Sequence, residues 1–183
     1  MRSTSIVSCG AALALSGCAV LARRVELRYA PSKNVTSSQR QTPLQIEPFS
    51  DRRARKADFG RASSGVPGVT LPIRGTSDPA AWATQAMRSE LAAAGYDARG
   101  KADVKVGGTL KEVSCGSGAR TVCAVKIEAW VVMKDGWQLL RQDYSGEGLL
   151  PAMFGEDPYE LSLEEALREA LQGFRKDLER TLP

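Results

Sequence analysis

The chain has no histidine. That excludes Ser-His-Asp and Cys-His catalysis and most zinc sites, since each needs an imidazole as base or ligand. It has no apolar run of the ~20 residues that a membrane-spanning helix requires. Basic charge is not gathered on one face, so nucleic acid is not an expected partner. The densest basic run is Arg52, Arg53, Arg55, Lys56 and Arg61, and Asp51 and Asp58 dilute it. We read it as a solvated loop rather than a headgroup-binding cluster. Cysteine is scarce, at four residues, and each has a distinct expected fate.

Cys18 closes Leu15-Ser16-Gly17-Cys18, which follows Arg2 and the apolar run from Ile6 to Leu15. This is an export signal ending in a lipobox. Small side chains at Ser16 and Gly17 let a peptidase grip the extended backbone, and the Cys18 thiol is the nucleophile that takes diacylglycerol. Residues 1–17 are then the signal peptide and Cys18 the lipidated N-terminus. Their removal leaves 166 of 183 residues with 24 basic and 21 acidic side chains, net +3. Cys9 departs with the signal. Cys115 and Cys123 remain, an even pair in an oxidising compartment, flanking a short loop between two expected strands. The expected product is a structural disulfide worth about 2–3 kcal/mol on the chain-entropy argument. Neither a Cys-x-x-Cys redox site nor a metal site fits the pair.

Residues 18–42 read as the lipidated cysteine and a tether, with one short ordered element where Val25, Leu27 and Tyr29 alternate with polar residues. Residues 43–183 read as a single domain. Leu44, Ile46 and Phe49 mark a first core strand, and residues 52–76 a long loop that could hold a short strand at Val69-Thr70-Leu71. Ser77-Asp78-Pro79 opens a helix carrying Trp82, Ala86, Met87, Leu91 and Ala94 on one stripe, and Gly95 ends it. Val104, Val106 and Leu110 alternate as a strand in which Gly107-Gly108 marks a bulge or a close backbone approach. Val122 to Met133 is a strand, Asp135-Gly136 a two-residue hairpin turn, and Leu139, Leu140 and Tyr144 the return. After Pro151 to Pro158, Ser162-Leu163-Glu164-Glu165 reads as a capping box. The helix after it has Leu163, Leu167, Ala170, Leu171, Phe174 and Leu178 facing the sheet and Arg168, Glu169, Arg175 and Lys176 facing out. The expected fold class is α+β, an antiparallel sheet of about four strands with two helices on one face.

Two further patterns carry less than they first suggest. Gly95 to Lys101 has the spacing of a phosphate-binding loop, but Ala102 stands where a hydroxyl should hold magnesium, and the segment follows a helix instead of a strand. Glu156, Asp157, Glu160, Glu164 and Glu165 could in principle supply the carboxylate pair of a glycosidase. Acidic residues at a helix start are equally what the helix dipole favours.

The lipobox, Val25-Glu26-Leu27-Arg28-Tyr29-Ala30-Pro31, the strand ending Phe49-Ser50-Asp51-Arg52, the helix ending Leu91 to Tyr96 and the last amphipathic helix together resemble the YajG-like family of small bacterial lipoproteins. The resemblance implies a periplasm-facing α+β domain at the outer membrane, with no catalytic residue to carry over. Ala19 and Val20, where an aspartate would imply inner-membrane retention, imply outer-membrane sorting.

The expected function is a non-enzymatic envelope lipoprotein that binds or scaffolds another envelope component, without cofactor or metal. The expected contacts are the membrane through the lipid anchor and an envelope protein. An auxiliary lipid- or ligand-carrying subunit of a transport system, with a groove between helices and sheet, is the alternative. A cell-wall hydrolase is the third reading.

Overall fold

The structure, a computed structural model, describes residues 22–32, 42–64, 66–98, 102–118, 120–151 and 157–182. Along the chain come β1 (Arg23–Val25), β2 (Leu44–Ile46), β3 (Ser50–Asp51), β4 (Gly60–Ser63), β5 (Thr70–Gly75) and α1 (Pro79–Ala93). β6 (Val104–Ser117), β7 (Arg120–Met133), β8 (Gln138–Pro151) and α2 (Pro158–Thr181) complete it. The lipobox with Cys18, the linker-like stretch 33–41, the end of the Gly95–Lys101 segment and Glu156 lie outside the described residues.

The fold is α+β, but the expected four-stranded antiparallel sheet is corrected to a mixed sheet of eight strands. Its spine is the meander β6-β7-β8, three strands of 14 residues each. Along the other edge of β6 the chain lies parallel to it in three pieces: β2 beside Val104–Val106, β3 beside Thr109–Leu110 and β4 beside Cys115–Gly116. Parallel pairing needs a long crossover, and here β5 and α1 supply it. β5 turns back against β4, and β1 lies parallel on β5. Strands of two to four residues are too short for a two-residue alternation to show, so their pairing was not readable.

Residues 52–76 are corrected in the same way. The short strand allowed for at Val69-Thr70-Leu71 is present as β5. What the loop reading missed is β4 and the β4–β5 hairpin, closed by Val66-Pro67-Gly68-Val69, in which the Val69 N–H donates to the Val66 carbonyl at 3.0 Å and Gly68 has φ +77°. Proline second and a positive-φ glycine third make a type II turn. The Pro-Gly dipeptide was the available signal. The β7–β8 turn also differs from expectation. Only Gly136 has positive φ, and Met133 N–H donates to the Trp137 carbonyl at 2.8 Å. The loop is therefore three residues, Lys134 to Gly136, not a two-residue turn, which would need positive φ at both positions.

α1 is capped as expected, Asp78 accepting from Ala80 N–H at 2.9 Å, and Gly95 with φ +87° follows its end. α2 begins four residues before the expected capping box. Asp157 caps it and Pro158 occupies its first turn, while Ser162 is buried inside the helix and points its hydroxyl at the Thr121 carbonyl. The apolar stripe from Leu163 to Leu178 is buried as expected, against β7 and β8.

Glycines set how closely these layers approach. A Cβ at Gly146 would stand 2.0 Å from the Ala166 carbonyl oxygen and one at Gly148 1.9 Å from that of Ser162. α2 thus rides directly on the backbone of β8, and Glu169 reaches over to accept the Glu147 N–H at 2.8 Å on the same strand. That covers part of an edge otherwise open to pairing. Gly107 and Gly108 are close approaches, not a bulge: Trp130 lies against the first and Phe49 against the second. The bulge falls at Lys111 instead, between Leu110 and Glu112.

Candidate functional site

The segment Ala22 to Ser32, expected to lie mostly in a tether, is built into the fold. Val25 is fully buried, and Leu27 and Tyr29 pack on the core. Trp82 donates its indole N–H to the Arg28 carbonyl at 2.9 Å. Arg23 pairs with Asp157 at 2.8 Å and sits over the Tyr159 ring. Glu26 N–H donates to Glu160 at 2.8 Å and Ala30 N–H to Glu164 at 3.2 Å, while Arg168 donates to the Ala30 carbonyl at 3.3 Å. The short ordered element foreseen inside the tether is therefore a strand and strap laid along α2.

Glu90 of α1 ends the strap. It is 1% exposed and accepts from Tyr29 Oη at 2.7 Å, Ser32 Oγ at 2.9 Å and Ser32 N–H at 3.1 Å. A buried carboxylate without donors is strongly unfavourable, so these three contacts are what make it tolerable. Burial, and then the bond to Glu90, push the Tyr29 hydroxyl well above the usual tyrosine range. Arg175 was expected on the outward face. Its side chain instead lies between the helices, with Nε 3.9 Å from Glu90 and no hydrogen-bond partner.

The acidic cluster at the start of α2 consequently has its work described. Asp157 caps the helix and holds Arg23, Glu160 and Glu164 accept backbone N–H groups of the strap, and Glu165 pairs with Arg168. Nothing in the sequence announced Glu90. A lone glutamate in an otherwise apolar helical stripe was the only hint.

Cys115 and Cys123 stand directly opposite each other in the β6–β7 hairpin, with Cα atoms 4.1 Å apart, and form the expected disulfide. The basic run of 52–61 is dispersed. Arg53 is buried, with a two-pronged contact to Asp51 and its guanidinium over Phe59, while Arg55 faces Asp58 at 3.8 Å. Its arginine holds the Asp51 carboxyl below the usual range.

The sheet face away from the helices carries a charge network. Lys111 bridges Asp143 at 2.6 Å and Glu128 at 2.9 Å, Lys126 adds to Asp143 at 3.2 Å, and Arg141 to Glu128 at 2.7 Å. Hydrogen bonds from Lys111 lead in lowering both carboxyls. Beside the network, Glu47, Lys105, Trp130, Val132, Gln138 and Arg141 line an open hollow of about 550 Å³. Between helices and sheet, by contrast, Met87, Leu91, Leu110, Ile127, Leu167, Leu171 and Phe174 are all under 2% exposed. Among the described residues, these side chains pack the space between helices and sheet.

No protein-family model matches the chain, and no curated protein matches it significantly, so the resemblance to the YajG-like family is not matched by either comparison. Among solved structures, protein XCC0632 from Xanthomonas campestris, described under family DUF330, is similar over 87% of this chain and 99% of its own, with TM-score 0.54 and 12% identity. A candidate lipoprotein from Caulobacter crescentus matches 54% of this chain and 81% of its own, with TM-score 0.41 and 15% identity. Lipoprotein GNA1162 from Neisseria meningitidis matches 76% and 99%, with TM-score 0.35 and 11% identity. At these identities the likeness is one of fold, and it rests on the first of the three.

Proposed function

We propose that the protein is a bacterial envelope lipoprotein, lipidated at Cys18, sorted to the outer membrane, facing the periplasm, and acting by binding or scaffolding another envelope component without catalysis. A YajG-like affiliation fits this reading. The observation that carries it is the position of β1. The sheet begins at Arg23, five residues after the Leu-Ser-Gly-Cys motif, and the strap that follows is fixed to both helices. An anchor joined so directly to a packed domain makes sense for a protein that must hold a surface in place. Among the described residues, the carboxylates of the cluster at the start of α2 are engaged with the strap, with Arg23 or with Arg168, which favours binding. The close packing of the described side chains between helices and sheet weighs against a carrier's groove there and favours a protein partner on the open sheet face.

The reading is tested in cells. Cys18→Ala should abolish labelling by a clickable fatty acid and release the protein from the membrane; unchanged labelling would sink the anchor. Photocrosslinkers placed at Gln138 and Lys105, beside the Trp130 hollow, should capture a defined envelope protein. Capture of lipid alone would favour the carrier.

A further inference from the structure

We propose that the anchor-side end of the sheet is a membrane-docking surface, in which the Val66-Pro67-Gly68-Val69 turn enters the interfacial layer of an anionic leaflet and Arg24, Arg61, Arg74 and Arg120 meet its phosphates. The inference rests on lipidation at Cys18 for its geometry and adds the surface that geometry presents.

Chain reach comes first. Four peptide units join Cys18 to Ala22, and an extended chain spans at most about 3.6 Å per residue, so roughly 14 Å separates the acylated residue from the folded domain. The domain cannot stand away from the bilayer.

Register then says which end faces it. Arg23 is opposite Ile73 in β5, and β5 runs in the same direction as β1. The chain entering β1 therefore comes from the side of Thr70, where the β4–β5 turn lies. Ser63 pairs with Thr70, and its N–H donates to Ser117 Oγ, so the tip of the disulfide hairpin lies there too. Pro151, opposite Arg120, marks the same end of β8.

That end exposes what water disfavours. Val66 is 57% exposed, Val69 46% and Leu149, close to the end of β8, 48%. The two valines flank a turn fixed by proline and glycine, so their exposure needs no further ordering on insertion. Behind them the charge is of one sign. Arg24 is directly opposite Arg74 across β1 and β5, and both are exposed, as is Arg120. Like charges facing across a sheet are unfavourable unless a counter-charge arrives, and among the described residues none of these three has a carboxylate partner. Arg61 projects from the neighbouring β4 and is held by Thr70. Of the acids near this end, Asp157 is paired with Arg23 and Glu26 with Arg28. Exposed valines at a rigid tip with arginines behind match an acyl boundary with phosphates above it.

The test uses the mature chain from residue 18 carrying Cys18→Ser, so that acyl insertion does not mask weaker contacts. An environment-sensitive fluorophore is attached to Val66→Cys or, at the opposite end of the sheet, to Asp135→Cys, with the native disulfide intact. On vesicles of phosphatidylethanolamine with phosphatidylglycerol, the Val66 probe should brighten and shift to the blue, and the Asp135 probe should not. Phosphatidylcholine vesicles should bind far less, and each of Arg24→Ala and Arg74→Ala should weaken partitioning roughly fivefold. No vesicle binding, or equal responses at the two positions, would overturn the docking surface while fatty-acid labelling of Cys18 in cells upholds the anchor. A Val66 response to protein added without vesicles would overturn it in favour of self-association. Absence of Cys18 labelling would remove both.

Discussion

The two halves of the sheet are held by different means. β6, β7 and β8 are consecutive, long and antiparallel, joined by a disulfide hairpin at one end and a three-residue turn at the other, and closed by the apolar face of α2. β1 to β5 are six residues or fewer, mostly parallel to their neighbours, and depend on partners far away in sequence. The strap shows the difference most plainly, since its contacts to α2 join residues more than 130 positions apart. Local pairing makes the first half self-sufficient. The second half relies on a few directed hydrogen bonds. The meander is the frame, and the N-terminal strands are clamped onto it.

This contrast can be broken at several points, the largest first. Leu171 is fully buried in the α2–sheet interface, and Leu171→Ala should lower stability by about 2–5 kcal/mol in urea unfolding. Removing the staple with Cys115→Ser and Cys123→Ser should lower it by about 2–3 kcal/mol with the fold retained. Free thiols in the unreduced, denatured wild-type protein would contradict the bond. Glu90→Leu removes the acceptor of Tyr29 Oη and of both Ser32 donors at the end of the strap and should cost about 1–3 kcal/mol. Its signature should be selective: proteolytic cleavage near residues 29–32 accelerates while the meander stays protected. The smallest effect is electrostatic. Asp51 has a depressed pKa in the fold, so its contribution is present above the unfolded carboxyl value of about 3.9 and is lost as pH falls through the lower folded value. Asp51→Asn should flatten that acid limb slightly without moving the neutral-pH baseline of other carboxylates.

The same contrast decided what was legible. The helix stripes, β7 with Val125 to Val131 inward, and the cysteine pair could be read because each repeats a period or a spacing over many residues. β2 was legible as a strand from Leu44 and Ile46, but its parallel partner was not, and β3 and β4 carry too few residues for a period; the partners of all three are chosen by the crossover through α1. The capping box at Ser162 misled for a definable reason. A serine three residues before a glutamate also arises inside a helix, where this one faces a strand carbonyl. Of the candidate site, the disulfide was readable as chemistry. The strap was not, since Glu26, Ala30 and Ser32 offer backbone N–H groups that leave no mark in a sequence. The acidic cluster was noticed, and its partners could be named only with the fold in hand.

The central claim is that the segment from Ala22 to Ser32 belongs to the fold, with its N–H groups held by carboxylates of α1 and α2. Amide hydrogen exchange on the mature protein tests it most directly. The N–H groups of Glu26, Ala30 and Ser32, which donate to Glu160, Glu164 and Glu90, should exchange far more slowly than a free peptide. Glu90→Leu should release Ser32 first. Exchange across residues 22–32 at the rate of an unstructured chain, with the meander protected, would contradict the account.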